Sequence, residues 1–418
     1  MKANTIEDAL NLFDPHHPLL EEDDIKAYYV ARDNSPIEEM KTILKTATHF
    51  PKLLFSGPPG CGKSTELAKL KEMLKKDFHI IIFSVKEITN TFRIDLDSML
   101  FHILKKVADK AKEENLSIYS EKLEKVISSG TGRGSDIDLA SAAQDGNGIE
   151  SVLDDILSED EQKEGLGYGS ILGPVFRRPF KPRADALLNL INDTVWDLEE
   201  KTKKDVLVLV TDMDKLKLGN VYGLLTSSSL YLTKIQCFAV YTFPVQLKYR
   251  TDFIEIYRNF NGVYYLPNFS SYNRLGLPDE NVQKKMRDII TTRIQTKLIY
   301  DDAVDLIVQF SGGIVFELIN LVRQCCVVSL MEKIKFIDDE IVNEAAERIR
   351  RVYRTVYSAE ELKLLLQIRQ NKQFINTDAS KQLFRQLSFT EYGTGDDVWY
   401  DVAPLLFPLL EEITLEEE

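Results

Sequence analysis

Hydrophobic and polar positions change rhythm along this chain, from short apolar runs in its first two thirds to helical stripes in its last third. KLLFS at 52–56 and HIIIFSV at 79–85 are apolar or β-branched runs too short for a helix, and they predict strands. VLVLV at 206–210, CFAVYT at 237–242 and VYYL at 263–266 predict three more. Between them the spacing predicts helices over 64–76, 94–114, 184–200, 221–232 and 254–260. Alternating strands and helices predict a parallel α/β core. Ahead of it lie a short helical pattern, DDIKAYYVARD, and a helix over 37–46.

After Pro278 the stripes become purely helical, over 281–297, 301–310, 315–331 and 338–356. Two further helical stretches lead to LSFTEYGTGDDVWYDV, where two alternating strands flank a Gly/Asp turn and predict a hairpin over 391–402. Helices followed by such a hairpin predict a winged-helix-like domain. The pattern fails over 128–182, where Gly, Ser and Asp dominate; residues 135–165 hold ten acids and one Lys. That stretch reads as a mobile acidic insertion, either solvated or binding a partner.

Composition narrows the class. The 418 residues are 44% hydrophobic, enough for several cores, and no apolar run reaches the length of a membrane span. The N-terminus has no apolar signal core, and the four cysteines form no CxxC pair, so a reduced, cytoplasmic protein is expected. A net charge of −14 argues against a general nucleic-acid coat, leaving room only for a local basic face such as FRRPFKPR at 176–183 or ERIRRVYR at 347–354. His16 and His17 have no acid or Cys at ligand spacing.

The strongest chemical signal is GPPGCGKST at 57–65, which fits GxxxxGK[ST] between a predicted strand and a predicted helix. Gly57, Gly60 and Gly62, with Pro58, Pro59 and Cys61, form a loop whose N–H groups can turn inward around phosphate oxygens. The helix start adds partial positive charge. Lys63 is expected on the β- and γ-phosphates, Ser64 on Mg²⁺, and Thr65 beside them, so ATP and Mg²⁺ are the expected ligands.

The GPP start resembles the AAA+ ATPases, and SGGIVFELINLVRQCC at 311–326 resembles the lid helix of the origin-initiator and transposition-regulator members. YYV before the loop, GCGKSTEL in it, VLVLVTDMDKL, CFAVYTFPVQLKY and EYGTGDDVWYDVAPLL together resemble a group of bacterial AAA+/STAND-like ATPases. The resemblance implies a P-loop NTPase core over 51–275 behind an N-terminal helical segment over 1–50, an all-α lid over 276–357 and a winged-helix-like domain over 358–418. It also implies an ATP-dependent switch that forms homo-oligomers and regulates an effector protein, often in phage defence. DNA-associated regulation of the origin or transposition type, and a nucleotide-locked scaffold, are the alternatives.

Carried over by position, the resemblance puts Thr211 where the metal-organising Asp belongs and Asp212 next to it, with Asp214 in support. Asp212 is thus the expected Mg²⁺-side or water-polarising acid, against a plain solvated turn in which Asp214 pairs with Lys215. Thr242 ends the next strand, either sensing the γ-phosphate or bonding backbone. Arg258 resembles an arginine finger, with Arg250 as rival and a surface ion pair as the alternative for both. Phe316 stands where the lid Arg is expected, and Arg323 lies too far along to replace it. Tyr28, Tyr29 and Val30 suit an adenine slot or simple core packing. With Thr211 and Phe316 in place of Asp and Arg, slow hydrolysis is expected.

Overall fold

The computed structural model describes residues 2–88, 94–114, 182–393 and 395–417. The acidic insertion expected over 128–182, but for its last residue, lies outside the described residues, as does most of FRRPFKPR. In chain order the elements are α1 (Ile6–Leu12), α2 (Glu22–Tyr28), α3 (Ile37–Thr46), β1 (Lys52–Ser56), α4 (Lys63–Leu74), β2 (Phe78–Ser84), α5 (Leu96–Glu113) and α6 (Pro182–Thr202). Next come β3 (Asp205–Thr211), α7 (Leu218–Leu225), α8 (Ser229–Lys234), β4 (Phe238–Thr242), α9 (Phe253–Asn259) and β5 (Gly262–Tyr265). The last third holds α10 (Glu280–Thr291), α11 (Asp301–Ser311), α12 (Val315–Glu332), α13 (Asp339–Val356), α14 (Ala359–Asn371), α15 (Asp378–Arg385), β6 (Phe389–Tyr392), β7 (Trp399–Val402) and α16 (Phe407–Glu417). The chain divides into two compact units, one of residues 40–55 and 73–264, the other of 1–39, 56–72 and 265–418.

The first unit is built on a five-stranded sheet ordered β2-β3-β4-β1-β5. β3 is central: Val208 pairs in parallel with Ile81 on one side and with Ala239 on the other. Its run from Val206 to Val210 is fully buried, which is why it reads as continuous rather than alternating apolar. β1 begins with a buried cation, Lys52, whose Nζ donates to the Phe50 carbonyl at 2.7 Å; burial pushes its pKa down to about 8. The single helix expected over 221–232 is instead two, α7 and α8. The break falls at Thr226–Ser228, where Thr226 Oγ1 turns back to the Tyr222 carbonyl and Ser229 Oγ donates to the Thr226 carbonyl.

The second unit packs α10 to α13 around Met286, Ile290, Val304, Ile307, Leu318 and Val322, with Ile6, Ala9 and Phe13 from the N-terminal segment in the same core. The helix expected over 281–297 stops at Thr291, because Arg293 and Ile294 peel away to pair with Ala3 in extended backbone. α11 ends at Gly312, in the left-handed region, where the next residue, Gly313, touches backbone: a Cβ there would lie 1.8 Å from the Phe269 carbonyl oxygen. The expected hairpin is present as β6 and β7, antiparallel with Tyr392 opposite Trp399, and α16 follows it without having been anticipated. All four cysteines are buried and unbridged. Among the described residues no helix is long and apolar enough to cross a membrane.

Glu317, in the first turn of α12, is buried, and desolvation raises its carboxyl to about 7. A raised carboxyl favours the protonated folded state, so its penalty is absent below the unfolded value near 4.3. The penalty then grows with pH and is complete above about 7, reaching on the order of 3 kcal/mol. Glu317→Gln is therefore expected to raise Tm at pH 8 and to have little effect at pH 4.5, a comparison read by thermal melts at both values.

Candidate nucleotide-binding site

β1 runs into a loop that only glycine can turn. A Cβ on Gly57 would meet the Leu266 carbonyl at 2.4 Å, and Gly60 and Gly62 take φ of +70° and +98°. Lys63 opens α4 and is buried; its Nζ donates to the carbonyls of Gly57 at 3.1 Å and Pro58 at 3.0 Å, which sets the ammonium inside the curl of the loop. Ser64 and Thr65 follow in the first helical turn, half-buried, and Thr65 Oγ1 accepts from Leu19 N–H at 3.3 Å. An ammonium, two hydroxyls and the N–H groups of a helix start are the kinds of donor from which a phosphate cradle is built.

The YYVARD segment supports that loop from one side. Tyr29 donates its hydroxyl to the Glu66 carboxylate of α4 at 3.3 Å, and Lys69 Nζ lies 5.2 Å from its ring. Ser35 Oγ donates to the same carboxylate, which burial raises above its ordinary range. Tyr28 is buried with the Arg293 guanidinium 5.2 Å from its ring, and Val30 packs on the helical core. Sequence reasoning missed Arg32. Its guanidinium donates to the Cys61 carbonyl inside the loop at 2.7 Å and to the Pro267 carbonyl, and it stacks 4.1 Å from the Phe269 ring centre. The one signal for it was a charge closing the apolar run YYVA, followed by a burial that lowers its pKa.

The lid helix reaches the same loop through Phe316. Its N–H donates to the Gly60 carbonyl at 3.0 Å, and the Cβ that Gly60 lacks would sit 2.7 Å from the Cβ of Phe316. The ring meets His16 edge-on at 5.5 Å. An apolar ring thus stands beside the loop at the position where the resemblance expected a cation. Arg323 is held elsewhere, donating to the Leu10 carbonyl at 2.7 Å.

In the other unit the strand ends form a compact polar knot. Thr211 Oγ1 donates to the Phe83 carbonyl at 3.2 Å, while Asp212 sits in the left-handed region at φ 63°. Ser84 Oγ donates to Asp212 Oδ2 at 2.6 Å, and Lys215 forms an ion pair with Oδ1. Burial works to raise the Asp212 carboxyl, but the bonds from Lys215 and Ser84 and the charges of Lys215 and Lys86 outweigh it and hold the group below its ordinary value. Lys215 thus pairs with Asp212, and Asp214 lies half-buried on the next turn. Thr242 Oγ1 donates to the Val210 carbonyl at 3.2 Å and accepts from Met213 N–H at 3.1 Å, so its hydroxyl locks the two strand ends together. Arg258 is exposed in the last turn of α9. Arg250 is committed to Asp252, with two bonds of 2.8 Å, and to the Tyr222 ring.

The weaker candidates are largely absorbed by internal contacts. Glu347 engages Arg350, Arg351 and Arg354, and Arg354 also pairs with Glu412, so the basic stretch 347–354 is laced within the molecule. On the hairpin, Glu391 is buried and accepts from the Tyr400 hydroxyl, and Asp401 pairs with Lys372 at 2.5 Å; Asp396 and Asp397 remain exposed. His16 and His17 join no group of three or more metal-ligating side chains among the described residues.

No protein-family model matches the chain, and no curated protein matches it. Among solved structures, it is similar to a Walker-type ATPase of Pyrococcus abyssi, at 12% identity and TM-score 0.50 over 96% of this chain and 99% of that one. The Aeropyrum pernix ORC2 protein, described as complexes with ADPNP and ADP, aligns at 11% identity and TM-score 0.45 over 97% and 98% of the two chains. The Thermotoga maritima RuvB Holliday junction branch migration motor aligns at 12% and 0.41 over 94% and 97%. The likeness to the Walker-type ATPase, the parallel sheet and the glycine-turned loop agree on one architecture: this chain has the α/β P-loop NTPase fold of AAA+ type, with helical and winged-helix-like parts.

Proposed function

We propose that the chain is an ATP-binding, slowly hydrolysing switch that forms homo-oligomers and regulates a partner effector. The observation that carries this reading is the cradle itself, with Lys63 Nζ inside a loop turned by Gly60 and Gly62 at the start of α4. In it, Gly57, Pro58, Pro59, Gly60, Cys61 and Gly62 wrap the phosphates, Lys63 meets the β- and γ-phosphoryl oxygens, and Tyr29 flanks the base from its place on Glu66.

Mg²⁺ would be held by Ser64 and, from the strand end, by Asp212, supplying charge that stabilises the phosphate chain. Each donor taken by itself suits a hard cation: the Ser64 hydroxyl, and the Asp212 carboxylate kept ionised by Ser84 and Lys215. The ammonium of Lys215, itself half exposed, marks a place beside Asp212 where positive charge is favoured. Asp214 supports Asp212, and Thr242 holds the strand end that presents both. Arg258 would act on a neighbouring subunit; it is exposed and has no ion pair among the described residues, whereas Arg250 is committed. Thr211 and Phe316 leave fewer charges around the γ-phosphate, which supports slow turnover over a fast motor. The phage-defence setting rests on the sequence resemblance alone. The internal lacing of 347–354 favours a protein-directed switch over a DNA-associated regulator.

Lys63→Ala is expected to abolish ATP binding and any ATP-driven assembly, measured by calorimetry and by light scattering; unchanged affinity removes the assignment. Asp212→Asn is expected to lower phosphate release about 10²-fold while ATP stays bound. An unaltered rate moves the catalytic role elsewhere, and no wild-type release at all leaves a locked scaffold. Mixing Arg258→Ala chains with Lys63→Ala chains is expected to restore part of the activity lost in each.

A further inference from the structure

The histidine pair at 16–17 takes no part in the reading above, yet the fold sets it against the phosphate loop. Phe13, fully buried, anchors the end of α1 in the helical core, and the chain then turns through Asp14, Pro15, His16, His17 and Pro18. Asp14 closes the turn: its Oδ1 accepts from His16 N–H at 3.0 Å, and its carbonyl accepts from His17 N–H at 3.1 Å. The two prolines fix φ on either side of the pair. Immediately after Pro18, Leu19 N–H donates to Thr65 Oγ1 in the first turn of α4. The turn is therefore held at both ends, by the core and by the helix that starts at Lys63.

The His16 imidazole stands at the Gly60 side of the loop. Its ring meets the Phe316 ring edge-on, with centres 5.5 Å apart, and Phe316 N–H donates to the Gly60 carbonyl. From His16 to Leu19 the chain spans at most about 11 Å, so the turn passes from the Gly60 side to the Thr65 side within side-chain reach of the loop. All of these residues belong to one compact unit. His16 is exposed, and its ring nitrogens make no hydrogen bond or ion pair among the described residues. Lys63 and Arg32, by contrast, are buried and donate to loop carbonyls. The two rings stand at 67° to each other, which makes no parallel-walled slot for a flat base. What an uncommitted imidazole beside a phosphate loop offers is an N–H donor, and a positive charge once a polyanion draws a proton to it.

We propose that His16 is a phosphate-binding residue of the nucleotide site, its imidazole donating to a phosphate oxygen of the nucleotide while Phe316 sets the place of the ring. This rests on the nucleotide reading above. The test titrates the full chain, with Mg²⁺, against ATP and against inorganic tripolyphosphate, which has no base, by calorimetry. His16→Phe keeps a ring against Phe316 but removes the N–H. It is expected to weaken both probes about tenfold, the worth of one hydrogen bond to a charged group. His16→Lys restores a charged donor and is expected to stay within about twofold of the wild type, while His17→Phe is expected to be silent. Imidazole C–H signals that His16→Phe removes from the proton spectrum are expected to shift when tripolyphosphate is added to the wild type. The proposal is overturned if His16→Phe binds ATP as tightly as the wild type, or if those signals do not move. It is overturned equally if tripolyphosphate affinity is unchanged while ATP affinity falls, which places the ring on the base. Loss in His16→Lys or His17→Phe as large as in His16→Phe reduces the residue to packing and overturns it too. A wild type that binds ATP beside a silent His16→Phe leaves the nucleotide reading standing; a wild type that binds no ATP removes both.

Discussion

No side chain fits at position 313. The Gly313 backbone lies against the Phe269 carbonyl, its own carbonyl accepts from Phe269 N–H at 3.1 Å, and the preceding Gly312 carbonyl is held by Tyr392. This close backbone approach joins three parts of one unit. The hairpin grips the turn from one side and the segment after β5 from another. From the turn springs α12, whose Phe316 N–H reaches Gly60. The phosphate loop is therefore shaped by groups distant in sequence as well as by its own glycines.

The loop's electrostatics follow from the same packing. Lys63 and Arg32 are both buried, and both donate to backbone carbonyls of the loop region. Burying a cation costs several kcal/mol unless opposite charge compensates. Glu66 supplies part of that compensation through space, and it is itself fixed by Ser35 and Tyr29. Concentrated, partly compensated positive charge favours a polyanion, so the nucleotide affinity proposed for the loop draws on the N-terminal segment as well.

The strand-end knot works with the opposite sign. Asp212 adopts a backbone conformation that favours glycine or asparagine, and it holds it because Ser84, Lys215 and the Thr242–Met213 bond fix everything around it. Strain retained beside an ionised carboxylate is typical of positions where aim matters more than stability. Thr211, by contrast, turns its hydroxyl back to the Phe83 carbonyl and serves the sheet.

How much of this was legible depended on the range of each interaction. The five strands, the P-loop and the hairpin could be read because each is written in adjacent residues: apolar runs of β length, glycines at fixed offsets, a Gly/Asp turn between alternating strands. Helix ends were read less well, since Thr226–Ser228 broke one helix through side-chain bonds and Ala3 ended another from far along the chain. Arg32 and the setting of His16 left almost no local trace. A buried guanidinium looks like any surface arginine until Cys61 and Pro267 are brought to it, and a histidine in a proline turn is ordinary until Phe316 is brought to it. Sequence alone determined the glycine-rich P-loop motif and the strands of the sheet. Tertiary structure decided which distant groups shape the cradle, what partners Asp212, and what lies beside His16, because those depend on contacts that local periodicity does not encode.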